Sequence, residues 1–236
     1  MERVRLDKFL ADQGLASRKE LREIIRGGRV QVNGLAERSP ERKIDPETDR
    51  VCFDGRPINN SRTFTIMLDK PLGVVTATED RREKTVLDLL PPELRRRGLF
   101  PVGRLDKDTS GLLLLTNDGD FAHRVISPKS AVEKCYCARV EGLASETDAA
   151  AFREGLTLRD GTRCLPAILE IQEDGRLLVT VTEGKYHQVR RMLASRGLPV
   201  QELRRLSIGG LKLDETLGPG GWKELTQEDL CRVFSS

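Results

Sequence analysis

The chain is expected to fold as an α+β protein in two parts, residues 1–60 and 61–236, and three observations carry that expectation. Two short helical periodicities at the start are followed by an alternating strand that enters an Asn33-Gly34 turn. A polar run, Asn59-Asn60-Ser61-Arg62, then reads as a linker. Beyond it, four consecutive leucines, Leu112 to Leu115, stand between Gly111 and the turn Asn117-Asp118-Gly119 and read as a central strand buried on both faces. Alternating segments with helices between them complete a mixed, mainly antiparallel sheet with flanking helices.

In the first part, Leu6, Phe9 and Leu10 recur at helical spacing, and Gly14 ends that helix. Ser17 is a good N-cap for a second helix, with Glu20 three residues on as a capping box and Leu21, Ile24 and Ile25 as its buried stripe. Arg18, Arg22, Arg26 and Arg29 share one face, because steps of three and four return to the same side of a helix. Such a run is either a solvated face or a phosphate-binding one. With no acid at those positions, the guanidinium fork favours phosphate.

The second part opens with a strand at residues 64–68, leading into Asp69-Lys70-Pro71-Leu72-Gly73. Arg81, Arg82 and Lys84 in a polar loop, and the cluster Arg95-Arg96-Arg97, are candidates to track an RNA backbone or are ordinary surface. The nonapeptide Gly103 to Gly111 places Asp106 and Asp108 with Arg104 and Lys107 at the entrance to the leucine strand. A polar loop feeding a rigid strand is either a charged turn or a reactive site. A helix is expected over 120–126, stopped by Pro128, then a strand over 133–140 that carries Tyr136. Residues 165–171 and 177–182 read as a hairpin around Asp174-Gly175. Val189, Met192 and Leu193 mark the buried face of the next helix, Gly197 its stop, and Thr226 caps a final helix. His187 finds no orienting partner in its own segment, which favours a structural or RNA-contacting role over that of a general base.

With 236 residues, 38% hydrophobic and 33% charged, the chain has enough apolar content for one sizeable core and a small module. A net charge of only +3 means that a nucleic-acid partner has to be argued from where the cations lie. The first residues lack the apolar stretch of a signal peptide, and the leucine run is far too short to span a bilayer, so a cytoplasmic protein without membrane insertion is expected. Cys52, Cys135, Cys137, Cys164 and Cys231 form no C-x-x-C pair and have two histidines to help them, so no metal site is expected and the thiols are read as reduced.

The run from Gly103 to Gly119 resembles the signature of the RsuA-type pseudouridine synthases, G-R-L-D-x-D-T-x-G-L-L-L-L-T-N-D-G, whose catalytic aspartate falls on Asp106. Residues 69–73 resemble the family's N-K-P-x-G element, with Asp69 in place of the usual Asn. Glu133-Lys134-Cys135-Tyr136 is similar to the E-K-x-Y element, whose tyrosine lines the site against a flipped base. The run from Glu183 to Met192 is similar to E-G-x-Y-H-Q-V-[KR]-R-M, whose cation falls on Arg190. The first sixty residues, through Arg5-Leu6-Asp7-Lys8, Ser17-Arg18, Val32-Asn33-Gly34 and Asp54-Gly55, resemble an S4 RNA-binding domain.

The resemblance implies Asp106, Tyr136 and Arg190 as catalytic residues, with Arg190 paired to the Asp106 carboxylate, and no cofactor or metal. Arg18, Arg22, Arg26, Arg29, Lys70, Arg104 and Lys107 are the expected RNA contacts. The Tyr186-His187-Gln188 form is closest to the enzyme of 16S ribosomal RNA, acting as a monomer on that RNA or on a pre-ribosomal small-subunit particle. A 23S enzyme and a non-catalytic S4 ribosome-assembly factor are the alternatives.

Overall fold

The computed structural model describes residues 3–46, 48–58 and 63–235. The expected linker at 59–62, and with it the boundary near residue 60, lies outside the described residues. The chain forms two compact units: one runs up to Phe64 and includes Leu87–Phe100, and the other comprises Thr65–Val86 and the chain from Pro101 on.

In the first unit, the two-residue strand β1 (Val4–Arg5) leads into helix α1 (Leu6–Asp12), and α2 (Arg18–Arg26) follows. Ser17 and Glu20 form the anticipated capping box, the Ser17 amide donating to Glu20 Oε2 at 2.9 Å. Strands β2 (Val30–Val32) and β3 (Leu35–Glu37) make a hairpin whose turn residues Asn33 and Gly34 both have positive φ, 55° and 81°, as a twist-matched two-residue turn requires. The short β4 (Lys43–Ile44) pairs with β1, while β5 (Val51–Phe53) and β6 (Arg56–Pro57) complete a sheet in the order β3-β2-β5-β6. Leu6, Phe9, Leu10, Leu21, Ile25, Val30, Val32, Ile44 and Val51 close one core.

The segment containing α3 (Pro92–Arg95) belongs to this unit although a single cut near residue 60 would assign it to the second. Gly14, at φ +76°, has the Glu93 carbonyl oxygen 2.2 Å from where a Cβ would stand, so only glycine permits that approach. Arg97 lies 3.8 Å over the Phe64 ring and donates to Gln13 Oε1 at 2.6 Å. Arg97 is therefore a packing residue and not the RNA-tracking cation expected of the 95–97 cluster.

The second unit is built on β7 (Thr65–Lys70), β8 (Phe100–Pro101, which begins on the last residue of the first unit), β9 (Ser110–Thr116), β10 (Lys134–Val140), β11 (Ile168–Ile171), β12 (Leu177–Val181), β13 (Val200–Ile208), β14 (Leu211–Lys212) and β15 (Trp222–Glu224). Its main path runs β11-β12-β10-β13-β9-β7-β15, and every pairing along it is antiparallel except β13 with β9. Leu112 to Leu115 are fully buried in β9, flanked by β7 and β13, as an unbroken leucine run demands. The helices are α4 (Gly119–Ile126), α5 (Glu146–Glu154), α6 (Gln188–Ser195) and α7 (Gln227–Arg232). Asp118 and Thr226 cap α4 and α7 through side-chain oxygens. Phe152 of α5 and Val189, Met192 and Leu193 of α6 share a core with Leu169, Val179 and Leu203 of the sheet.

Candidate active site

The polar loop at 103–109 enters β9 at the parallel junction of that path, where Ser110 and Gly111 register with Arg204 and Arg205. Gly111 has φ +102°, and a Cβ there would stand 2.2 Å from the Arg205 carbonyl oxygen and 2.7 Å from its amide nitrogen. The strand can be entered only through glycine at this point.

Five successive carbonyls of the loop are tied down. Leu105 O accepts from Thr76 Oγ1 at 2.6 Å, and Lys107 O accepts from the Gly73 amide at 2.8 Å. Asp106 O accepts from the Thr109 amide at 3.1 Å and from Lys70 Nζ at 3.0 Å. Asp108 O accepts from Arg190 Nη2 at 2.8 Å, and Thr109 O from Lys70 Nζ at 2.8 Å. With its main chain anchored this way, the loop leaves the Asp106 carboxylate one-third exposed.

Lys70 corrects the sequence expectation. It is fully buried, and its ammonium is spent on the carbonyls of Pro71, Asp106 and Thr109, so it cannot reach RNA. Burial pushes its pKa down from 10.5 to about 8, against the pull of Asp106 and Asp108, while Arg205 adds to the fall. It remains largely protonated at neutral pH.

The expected pair between Arg190 and Asp106 is also corrected. Arg190 Nη2 lies 3.0 Å from Asp108 Oδ2 as well as on the Asp108 carbonyl, and Nη1 donates to Val200 O at 3.3 Å. The tight turn closed by the Thr109 amide separates the neighbouring carboxylates, and α6 presents Arg190 to the second of them. Asp106 instead meets His187, whose Nε2 stands 3.4 Å from Oδ1. The partner absent from the segment of His187 thus comes from the loop.

His187 is brought there by a strained backbone, φ 47° and ψ 35°, at the N-cap of α6. Gln188 locks this turn, accepting from the Lys185 amide at 2.9 Å and donating to Glu183 Oε1 at 2.7 Å. The His187 ring stacks on that of Tyr186 with centroids 3.9 Å apart and planes 17° from parallel.

Tyr136, on β10, faces Arg205 across the ladder, and Arg205 Nη1 donates to its hydroxyl at 3.3 Å. Arg205 Nε donates to Leu112 O at 2.7 Å, which ties the tyrosine to the start of β9. Sequence reasoning passed over Arg205, although alternation along β13 puts it on the face of the buried Leu203. Asp69 is buried, and its Oδ2 accepts from Arg204 Nη2 at 2.8 Å, so a guanidinium answers the charge that an asparagine would lack. Arg104 is exposed, and Lys107 pairs with Glu83 at 2.7 Å.

In the first unit, helix α2 ends at Arg26 and leaves Arg29 off the expected helix face, and acids meet these arginines from α1, from α2 itself and from the turn after β5. Arg5, Arg18 and Arg22 converge on the buried Asp7 carboxylate at 2.9, 3.1 and 3.3 Å. Burial alone would raise the Asp7 pKa, but these hydrogen bonds outweigh it and hold the group well below the usual carboxylate range. Arg26 pairs with Glu23 at 2.8 Å and Arg29 with Asp54 at 2.5 Å. Three guanidiniums on one carboxylate leave the Asp7 cluster net positive, with all three arginine side chains still partly exposed.

Among the described residues, no group of three or more His, Cys, Asp or Glu side chains is placed to hold a metal ion, and no helix is long and apolar enough to cross a membrane.

Residues 64–195 match the family described as RNA pseudouridylate synthase, and residues 4–51 match the S4 domain. The uncharacterized RNA pseudouridine synthase YtzG of Bacillus subtilis is 43% identical over 96% of this chain and 97% of its own. The ribosomal small subunit pseudouridine synthase A of Escherichia coli K12 is 41% identical over 98% of this chain and all of its own. A solved structure described as a pseudouridylate synthase superposes with a TM-score of 0.69 at 37% identity, covering 98% of this chain and 99% of that one.

Proposed function

The chain belongs to the RNA pseudouridylate synthase family, and from that premise we propose that it isomerises one uridine of small-subunit (16S) ribosomal RNA to pseudouridine with Asp106 as nucleophile. The reaction breaks the bond between N1 and C1′, turns the uracil and joins C5 to C1′. A proton leaves C5 and one is gained at N1, so no redox equivalent or co-substrate enters. A carboxylate suffices as the covalent participant.

The observation that carries this reading is the loop itself: its main chain is held at five successive carbonyls while the Asp106 carboxylate stays accessible. A nucleophile fixed by its backbone meets substrate without reorganisation. Tyr136, with its hydroxyl held by Arg205, is the surface on which the flipped uracil stacks. Arg190 acts at one remove, fixing Asp108 and through it the turn that aims Asp106. Arg18 and Arg22, gathered on Asp7 and partly exposed, contact phosphate, with Arg104 and Lys107 as further cations beside the site. The full-length similarity to a small-subunit enzyme supports the choice of ribosomal RNA, and a cytoplasmic monomer working on that RNA or its assembling particle fits it.

Mapping pseudouridine across the ribosomal RNA of a strain lacking the gene tests the proposal. One 16S position should lose the modification, regain it with the wild-type protein, and stay unmodified with Asp106→Asn, whose turnover falls by ~10⁴ or more. Loss at a 23S position reassigns the substrate, and normal modification by Asp106→Asn overturns the nucleophile.

A further inference from the structure

Tyr186 is 76% exposed and is the one aromatic residue among the large apolar side chains left open to solvent in the described structure. A lone exposed ring is common, but this one is held. Its inner face lies parallel to His187 at 3.9 Å, and its carbonyl accepts from Arg191 Nη1 at 3.3 Å. Arg191 is itself fixed by Asp160 at 2.5 Å. The stack is anchored at the nucleophile, because His187 Nε2 is 3.4 Å from Asp106 Oδ1. Two parallel rings therefore lead outward from the reacting carboxylate and end in an open aromatic face.

We infer that the outer face of Tyr186 is a stacking site for a base flanking the target uridine in single-stranded RNA. The inference rests on the proposed RNA substrate and adds a site for a nucleotide that is not modified. A uridine turned out of its stack leaves neighbouring bases without a partner on one side. An aromatic platform beside the nucleophile recovers that stacking, and it does so for any base because every base has a π-face. The left-handed conformation of His187 gives the pair its direction. That conformation is costly for a residue with a Cβ and is held by the Glu183 and Gln188 contacts around it. The chemistry recognised is a planar base; a phosphate or an apolar peptide would need cations or a groove that this ring does not supply.

The test uses the full-length protein, its Tyr186→Ala and Tyr186→Phe variants, and two probes. One is a single-stranded oligouridylate carrying one internal 2-aminopurine, whose fluorescence is quenched by stacking. The other is a 16S ribosomal RNA transcript assayed for pseudouridine. The alanine variant should lose the quenching, bind the oligonucleotide about 5- to 150-fold more weakly, and show a higher KM with kcat at saturating transcript little changed. The phenylalanine variant should behave as wild type, since the ring and not the hydroxyl is used. Equal quenching and affinity for wild type and Tyr186→Ala overturn the inference, whether or not the transcript is modified. If the wild-type protein leaves the transcript unmodified, naked 16S RNA is excluded as its substrate and the assembling particle is left, and the oligonucleotide still decides the stacking site.

Discussion

Replacing Lys70 with methionine keeps the length of the side chain and deletes the ammonium, and so separates the placement of the loop from the stability of the fold. Burial lowers the Lys70 pKa from 10.5 to about 8, which at about 1.4 kcal/mol per unit is a cost of about 3 kcal/mol for holding the charge inside. Methionine removes that cost. It also strands the carbonyls of Pro71 and Thr109, at about 1–3 kcal/mol each, while Asp106 O keeps the Thr109 amide. The two effects nearly offset, so unfolding free energy at pH 7 should stay within about 3 kcal/mol of wild type. The loop, however, loses a tie at both ends of its turn, and a shift of about 1 Å at a nucleophile costs on the order of 10² in rate. Release of tritium from RNA labelled at C5 measures that rate directly.

The pH dependence of stability gives a second readout. Between pH 8 and 10.5 the unfolded chain holds a proton on Lys70 that the folded chain has lost, so stability due to this group rises with pH across that window. Below it both states are protonated and the full cost of burial applies. The difference between wild type and Lys70→Met in denaturant melts should therefore drift in favour of wild type as pH rises. Wild-type turnover by the variant would refute the anchoring argument, as would a stability difference flat from pH 7 to 10.5.

Arg18→Gln with Arg22→Gln should leave Asp7 its Arg5 partner and the fold intact, yet flatten the salt dependence of RNA binding by about 0.7–0.9 in slope for each phosphate that is no longer neutralised. An unchanged slope assigns both arginines to Asp7 alone. Gly111→Ala drives a Cβ into the Arg205 main chain and should destabilise the protein by more than about 3 kcal/mol, whereas Gly73→Ala, at φ +78° with open space around it, should cost about 1–2. Similar thermal melts for the two would show that the parallel junction yields more readily than its close approaches imply.

Elements carried by local pattern were legible in the sequence. The leucine strand, the Ser17 capping box, the Asn33-Gly34 hairpin and the buried face of α6 each depend on residues within a few positions of one another. What escaped depends on distant partners. Lys70 reads as the polar end of a strand until β7 is seen to deliver it beneath a loop thirty-six residues further on. The arginine face reads as unopposed because Asp7 reaches it from another helix. His187 reads as an isolated imidazole for the same reason, and no spacing rule distinguishes Asp106 from Asp108 as the neighbour of Arg190. Leu87–Phe100 groups with the first unit in a way no linear cut can express, because Arg97, Phe64 and Gln13 meet only in space.

The anchoring of residues 105–109 at every carbonyl, in addition to the side-chain pairs they make, bears on how such a protein can change. Every residue type has a carbonyl, so substitutions at positions 104 and 107 leave these particular ties in place. Selection can then try different charges at the rim, and with them different RNA surroundings, without moving the carboxylate between them. A loop held by its side chains would have to relearn its shape with each change at the rim; this one keeps the Asp106 carboxylate where it is.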